Sequence, residues 1–307
     1  MWTIFQYLGY FLAAYTLVML SSFGLHSFVP QAPQIVGFIA RSMSAYLSLM
    51  VCAAYGTVAS LILRALGLHY QYAQWTTARA FAYVGALTMG VKFKILDNGR
   101  EILDGKRPVV IVANHQTELD VLMLGWIWPQ HCSVTAKKSL RNVPFLGWFM
   151  ALSGAIFIDR VDRTQAVKAF EGAADAMKQI GQSVLIFPEG TRSYSAEPML
   201  LPFKKGAFHL ALQAGVDIVP VVAENYSGVL NIKARRFNSG TIRVKGKRLM
   251  DVFTCLNISV VLEPIPTKGL TVADVDKLTR DTRDKMLKAL QDLAQDPEAA
   301  TNAKKTS

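Results

Sequence analysis

Hydrophobic positions follow two regimes along this chain. Residues 1–40 contain no Lys, Arg, Asp or Glu, and the first acidic residue is Asp97. Residues 2–25 (WTIFQYLGYFLAAYTLVMLSSFGL) form a run long enough to cross a hydrocarbon core of ~30 Å. A second run, 43–66, is nearly as apolar and carries Arg64 near its end. From about residue 95 the texture changes to short apolar runs alternating with stretches of helical period. The runs 108–113, 132–136, 155–159, 183–187 and 217–223 predict strands. Helices are predicted from Thr117, over 145–154, over 163–180 and over 205–214. The third of these places Ala166, Val167, Phe170, Ala173, Ala174 and Met177 on one face.

Such alternation with short connections predicts an α/β fold, a layered and mostly parallel sheet flanked by helices. After residue 224 the chain reads as loop-like and basic (KARRF, 233–237), with late strands at 241–244 and 260–265 and a closing helix at 272–293. The expected organisation is a membrane-embedded helical region (1–92), a catalytic domain (93–295) and a disordered tail (296–307).

Charge narrows the partners. Among 307 residues, 33 are Lys or Arg and 22 are Asp or Glu, a formal net charge of +11. That balance suits nucleic acid, an anionic membrane surface or phosphorylated substrates. No RNP, zinc-finger or helix-turn-helix pattern is present, so nucleic acid is not an expected partner. The lipid bilayer is. A secretory signal peptide fits poorly, since no basic segment precedes the apolar run and the run is too long. Arg64, Arg79, Lys92 and Lys94 lie on the side leading into the soluble part, against Arg41 alone before the second run. This asymmetry predicts a cytosolic soluble part, reached through two spans or a shallow hairpin in one leaflet. Cys52, Cys132 and Cys255 are few, distant and odd in number, which points to a reducing compartment and no zinc site; no metal or other cofactor is expected.

In open α/β sheets ligands gather at the carboxyl ends of the strands, and the polar clusters fall there. Asn114-His115 with Asp120 follows the first predicted strand. Lys137-Lys138 follows the second, Asp159-Arg160 the third and Phe187-Pro188-Glu189-Gly190-Thr191-Arg192-Ser193 the fourth. These edges can converge on one pocket holding a base, a carboxylate and several cations. Five residues of ideal helix turn through about 500°, so His115 and Asp120 would not share a helical face. With a helix starting at Thr117, Asp120 becomes its third residue, as in a capping box, and the preceding chain can turn His115 back onto it. A carboxylate on one imidazole nitrogen fixes the tautomer and favours the cation formed when the other nitrogen takes a proton. Without a serine nearby, that proton would come from a substrate hydroxyl. A plain helix cap explains this stretch alone equally well. The Glu-Gly-Thr-Arg turn after an apolar strand suits anion binding by backbone amides and Arg192.

Together these stretches resemble the lysophosphatidate acyltransferases (1-acylglycerol-3-phosphate acyltransferases), especially their fungal-like eukaryotic branch. Four ordered blocks carry the resemblance: His115-x4-Asp120, Gly154-x-x-Phe157-x-x-Arg160, Phe187-Pro188-Glu189-Gly190-Thr191-Arg192 and Ile218-Val219-Pro220-Val221. TAKKSL (135–140, with Lys137), PFLGWFMALSG and LPFKKGAFHLA are also similar, and the likeness spans about 55–290. The resemblance implies the glycerolipid acyltransferase fold, with His115 as general base and Asp120 as its partner. It implies that Gly154, Phe157, Arg160, Glu189, Gly190, Thr191, Arg192 and Lys137 serve acceptor binding, Arg160 holding the phosphate. Pro220 falls in a block tied to the acyl-donor side or to packing. The implied partners are acyl-CoA as co-substrate, lysophosphatidate and the bilayer, at the endoplasmic reticulum membrane or a lipid droplet. Acceptors such as another lysophospholipid or glycerol 3-phosphate stay open, as does a non-catalytic lipid-binding protein. A metal-dependent phosphohydrolase lacks a second cluster of histidines or carboxylates.

One segment departs from the resemblance. Between 241–244 and 261–267, which that family joins almost directly as one strand, lies KGKRLMDVFTCLNISV. Its Gly-Lys-Arg start suggests a retained intron (residues 246–260), the alternative being a genuine lineage-specific loop. Asn225-Tyr-Ser and Asn257-Ile-Ser match glycosylation sequons, which a cytosolic domain would leave unused.

Overall fold

The computed structural model describes residues 2–95, 99–105, 107–159, 161–244 and 260–295. Arg160, residues 245–259 (most of the segment 246–260 read above as a retained intron or lineage-specific loop) and residues 296–307 lie outside the described residues.

Three long helices open the chain: α1 (Trp2–Phe28), α2 (Gln34–Ala65) and α3 (His69–Met89). α1 is apolar on every side, with Tyr7, Tyr10, Phe11, Leu17 and Leu20 all exposed. α2 differs. One face, made of the small residues Gly37, Ala40, Ser44, Ser48, Cys52, Ala53, Gly56 and Ser60, is buried, while Tyr46, Val51, Val58, Leu61 and Ile62 on the other face are exposed. Small side chains let helices approach closely. Ser48 Oγ lies 3.0 Å from Thr88 Oγ1 of α3, and Thr57 Oγ1 donates to the carbonyl of Phe145. α2 is therefore packed against the body along most of its length.

Two expectations change here. The second apolar helix starts at Gln34, not near residue 43, so Arg41 lies inside it. Pro33 stands at its N-terminus, and Arg41 is accommodated by donating to the carbonyl of Phe237 at 3.2 Å. α3 has no counterpart among the predicted elements, because its buried positions include Gln74 and Thr77 and so interrupt any apolar run.

The predicted α/β architecture is present. After β1 (Val91–Ile95) and the short α4 (Gly99–Gly105), strands and helices alternate. They are β2 (Val110–Ala113), α5 (Asp120–Ile127), β3 (Cys132–Lys137), α6 (Leu146–Leu152), β4 (Ile156–Ile158), α7 (Arg163–Ile180), β5 (Ser183–Ile186), α8 (Gly206–Ala214) and β6 (Ile218–Val222). A small antiparallel hairpin, β7 (Leu230–Asn231) and β8 (Arg236–Phe237), stands where the sequence reads as loop. β9 (Gly240–Val244), β10 (Val260–Val261) and α9 (Val275–Gln295) close the described chain.

The main sheet has the order β10-β6-β2-β5-β3-β4. Its strands are parallel apart from β10, which runs antiparallel to β6. β2, β5 and β6 are buried throughout, as expected for strands covered on both faces. β9 pairs instead with β1, in a separate parallel ribbon. Residues 241–244 and 260–261 thus belong to different sheets rather than to one strand.

Register brings the motifs together. Val112 pairs with Ile186 on one side and with Pro220 on the other. Three residues beyond that level stand His115 and Glu189, so the ends of β2 and β5 deliver them side by side. The block at β4 leaves the same edge of the sheet three strands away from β2, about 14 Å at the usual strand spacing.

Candidate active site

The end of β2 is held from both sides. Asn114 is fully buried; its side chain accepts from the Ala223 amide (2.8 Å) and donates to the Ala223 carbonyl (3.0 Å), continuing the ladder to β6 beyond the last paired residues. Gln116 Nε2 donates to the carbonyls of Ala223 and Glu224. From the other side, the His115 amide donates to Glu189 Oε1 at 2.7 Å, and Glu189 Oε2 accepts from the Leu201 amide at 2.9 Å. Residues 114–116 therefore have little freedom.

His115 Nδ1 lies 2.7 Å from Asp120 Oδ2. Asp120 is fully buried, and the same oxygen also accepts from the amides of Gln116 (2.6 Å) and Thr117 (3.1 Å). A carboxylate that accepts only hydrogens requires Nδ1 to carry one, so the lone pair resides on Nε2. Nε2 has no protein partner among the described residues, and 15% of the His115 side chain remains exposed. Phe187 stacks on the ring, with centroids 4.1 Å apart at 17°. The outcome is an oriented imidazole with its basic nitrogen open to a substrate.

The helix start differs from the expectation. α5 begins at Asp120, and Thr117–Leu119 form a turn in which the Asp120 amide donates to the Thr117 carbonyl at 3.3 Å. Only half of the capping box forms. Asp120 reaches back to the Thr117 amide, but the Thr117 hydroxyl accepts from Leu119. Gathering His115, Gln116 and Thr117 around one oxygen demands this tighter entry. The carboxylate also lies in the first turn of α5, where the helix dipole favours negative charge. At the far end of α5, Arg79 of α3 donates to the carbonyls of Gly125, Trp126 and Trp128, satisfying groups that the helix itself leaves open.

The turn after β5 is equally constrained. Glu189 is 3% exposed, and this burial pushes its carboxyl above the ordinary value, opposed by the two amide bonds. Both its oxygens serve the backbone. Gly190 has φ +70° and lies under Lys204, whose Cε and Nζ come within 2.8 Å of where a Cβ would stand; both facts favour glycine. Thr191 is exposed. Arg192 Nη1 donates to Glu118 Oε1 (2.9 Å) and to the Tyr194 hydroxyl (3.2 Å). Hydrogen bonding to Tyr194 and the Glu118 charge raise the Arg192 guanidinium further above its ordinary value, outweighing desolvation, the largest single effect and one that lowers it. It is a permanent cation at the rim of the site. A cavity of about 20 Å³ lies beside it, lined by Gln116, Thr117, Tyr194, Ser195, Ser227 and the hairpin residues 230–233.

The β3–β4 edge is open by contrast. Lys137 is exposed and its backbone pairs with Ile158. Lys138 Nζ donates to Asp159 Oδ2 (3.0 Å) and Gln165 Oε1 (2.7 Å). Arg141 stands 5.8 Å over the ring of Phe157. Gly154, at φ +81°, packs against the Tyr70 ring, and its carbonyl accepts from Ser133 Oγ. Lys137, Lys138 and Asp159 stand at the ends of β3 and β4 on the same sheet edge as His115, whereas Gly154 precedes β4 and stands at its opposite end; none of them joins the close cluster. Pro220 is buried inside β6, and its carbonyl accepts from the Leu262 amide at 2.8 Å.

Sequence reading missed three participants: Gln116, Glu118 and Tyr226. Tyr226 is 2% exposed and donates to Asp120 Oδ1 at 2.5 Å. The sequence shows it only as the middle of a sequon, and Asn225 itself spends its amide nitrogen on the carbonyls of Ser195 and Glu197.

An imidazole oriented at a strand end, with Arg192 at the neighbouring turn, is compatible with acyl transfer, and this chain is similar to known acyltransferases. The Acyltransferase family pattern matches residues 91–224. The 1-acyl-sn-glycerol-3-phosphate acyltransferase of Saccharomyces cerevisiae is 42% identical over 257 residues, covering 84% of this chain and 78% of that protein. The chain belongs to the 1-acyl-sn-glycerol-3-phosphate acyltransferase family. The human alpha form of that acyltransferase is 34% identical over 254 residues, covering 82% of this chain and 78% of its own length. The crystal structure of the 1-acyl-sn-glycerophosphate acyltransferase PlsC from Thermotoga maritima shares the fold, with a TM-score of 0.63. At 19% identity it covers 85% of this chain and 95% of that one. The family membership accounts for the order of the four blocks along the chain.

Proposed function

We propose that this acyltransferase moves an acyl chain from acyl-CoA to the free sn-2 hydroxyl of lysophosphatidate, giving phosphatidate. The observation that carries the reading is the His115 Nδ1–Asp120 Oδ2 contact of 2.7 Å, with Nε2 left open. Nε2 takes the hydroxyl proton as that oxygen attacks the thioester carbonyl. Asp120 stabilises the imidazolium, backbone amides meet the oxyanion, and CoA thiolate leaves. No acyl-enzyme is needed. Glu189 acts through the backbone of His115, while Arg192 supplies positive charge for the acceptor's phosphate. Arg160 is expected to do the same from the β4 block. Phosphatidate made in this way would feed phospholipid and triacylglycerol synthesis.

The N-terminal helices give the enzyme access to lipid substrates. Two helices are long and apolar enough to cross a membrane, yet packing of α2 against α3 and α6 supports a hairpin lodged in one leaflet. A span would have to carry the attached body with it. The endoplasmic reticulum membrane or a lipid droplet, with the catalytic body facing the cytosol, suits this arrangement.

Membranes containing the chain, given labelled acyl-CoA with lysophosphatidate, other lysophospholipids or glycerol 3-phosphate in parallel, test the reading. Phosphatidate from lysophosphatidate is the expected product. Its absence, with acylation of another acceptor, would overturn the assignment of substrate; no acylation of any acceptor would favour a non-catalytic role.

A further inference from the structure

We propose that Tyr226 is a positioning residue for acyl transfer, its hydroxyl fixing the second oxygen of Asp120 and tempering the negative charge that His115 faces. The proposal rests on the reading of His115 as the base.

Three donors reach Asp120, from His115, Gln116 and Thr117, and all converge on Oδ2. Among the described residues Tyr226 is the one donor to Oδ1, at 2.5 Å. Asp120 has no solvent exposure, so water cannot take the place of the phenol. The direction of the hydrogen is settled by its neighbours. The Thr117 amide hydrogen is shared between Asp120 Oδ2 and the Tyr226 oxygen, each 3.1 Å away, and Thr117 Oγ1 donates to the Tyr226 oxygen at 3.2 Å. With its lone pairs engaged, the phenol points its own hydrogen at the carboxylate. Burial first, and the Asp120 charge second, push the phenol well above its ordinary value, so it stays a neutral donor. Its ring meets Phe93 of β1 edge-on, with centroids 6.3 Å apart. Fold elements far apart in sequence thus hold the hydroxyl in place.

A short hydrogen bond to an ion in a buried site is stronger than one between neutral groups. It draws charge away from the side of Asp120 that His115 meets and prevents the carboxylate from rotating. The other titratable groups facing the pair are Glu189, through the backbone of His115, and Arg192, whose charge interacts with that of Asp120. Neither contacts Oδ1.

The experiment uses the full chain in membranes, with Tyr226→Phe made in the native and the Asp120→Asn backgrounds. Turnover and KM are measured across pH with acyl-CoA and lysophosphatidate. Phe keeps the ring and its contact with Phe93, and thermal unfolding reports on folding. In the native background turnover is expected to fall about tenfold with both KM values unchanged. Removing the donor leaves more negative charge opposite His115, so the acidic limb of the turnover profile is expected to move to higher pH. In the Asp120→Asn background the same substitution should cost less than about twofold, because its effect runs through Asp120. A native-background profile unchanged in height and position would overturn the proposal, whatever happens to stability. So would a tenfold loss that persists without the Asp120 charge. Failure of the underlying reading shows separately, as undiminished turnover in His115→Ala, and would remove the proposal with it.

Discussion

The two ends of the parallel sheet solve opposite problems. At its centre, where β2, β5 and β6 finish, the buried side chains around His115 are bonded on both sides: Asp120 collects four donors, Glu189 holds two amides and Asn114 bridges to β6. At the β3–β4 edge, Lys137 is exposed and Lys138 makes surface bonds with Asp159 and Gln165. Two carboxylates make the contrast quantitative in sign. Burial raises Glu189 above its ordinary value, whereas Lys138 and two backbone amides lower Asp159. Under the proposed function the centre would hold its base to within fractions of an ångström. The edge would then meet a mobile lipid headgroup, a task that loosely held cations suit.

Substitutions can break this contrast. Truncating His115 carries the largest expected loss, roughly 10²–10⁴-fold in turnover. Asp120→Ala follows: turnover falls by about 10²-fold and the protein is destabilised by roughly 2–4 kcal/mol, because buried donors lose their acceptor. Thermal unfolding and initial rates separate the two effects. Glu189→Gln turns a donor toward a backbone amide and costs about 1–3 kcal/mol. It also changes the pH dependence. A raised carboxyl contributes stability below its ordinary 4.5 and loses it as pH rises through the folded value. Unfolding midpoints of the Gln variant should therefore vary less above pH 4.5 than those of the native chain. Asp159→Asn is expected to do least. The contribution of Asp159 is present above its ordinary 3.8 and lost as pH falls, and solvent screens it. A small drop in unfolding midpoint at neutral pH, shrinking in high salt, would match; a loss as large as that of Glu189→Gln would erase the distinction between centre and edge.

The strand–helix alternation was legible because strands buried on both faces are short apolar runs and their connecting helices have local boundaries. α7 spans the predicted 163–180, with Asp162 capping its start and Gly181 in the left-handed region at its end. His115 and Asp120 were legible for a similar reason: they lie within one turn of chain. Tyr226 was not, because it meets Asp120 across 106 residues, through a strand register that no local pattern encodes. Glu189 was found as a site residue, but its service to the His115 amide depends on β2 and β5 being neighbours. α3 escaped because its buried face mixes Gln74 and Thr77 with Ala73, Phe81 and Ala82. α2 was legible as a long apolar helix, but composition does not reveal that its small residues form a buried face.

In the proposed reaction His115 takes the proton of the acceptor hydroxyl, while the strand end that carries it is held by backbone bonds its side chain does not make. The most direct test is the turnover of the native chain and of His115→Ala with acyl-CoA and lysophosphatidate, at equal amounts of folded protein. A fall of at least about 100-fold in turnover is expected, with unfolding midpoint and both KM values close to native. Phosphatidate formed by His115→Ala at the native rate would contradict it.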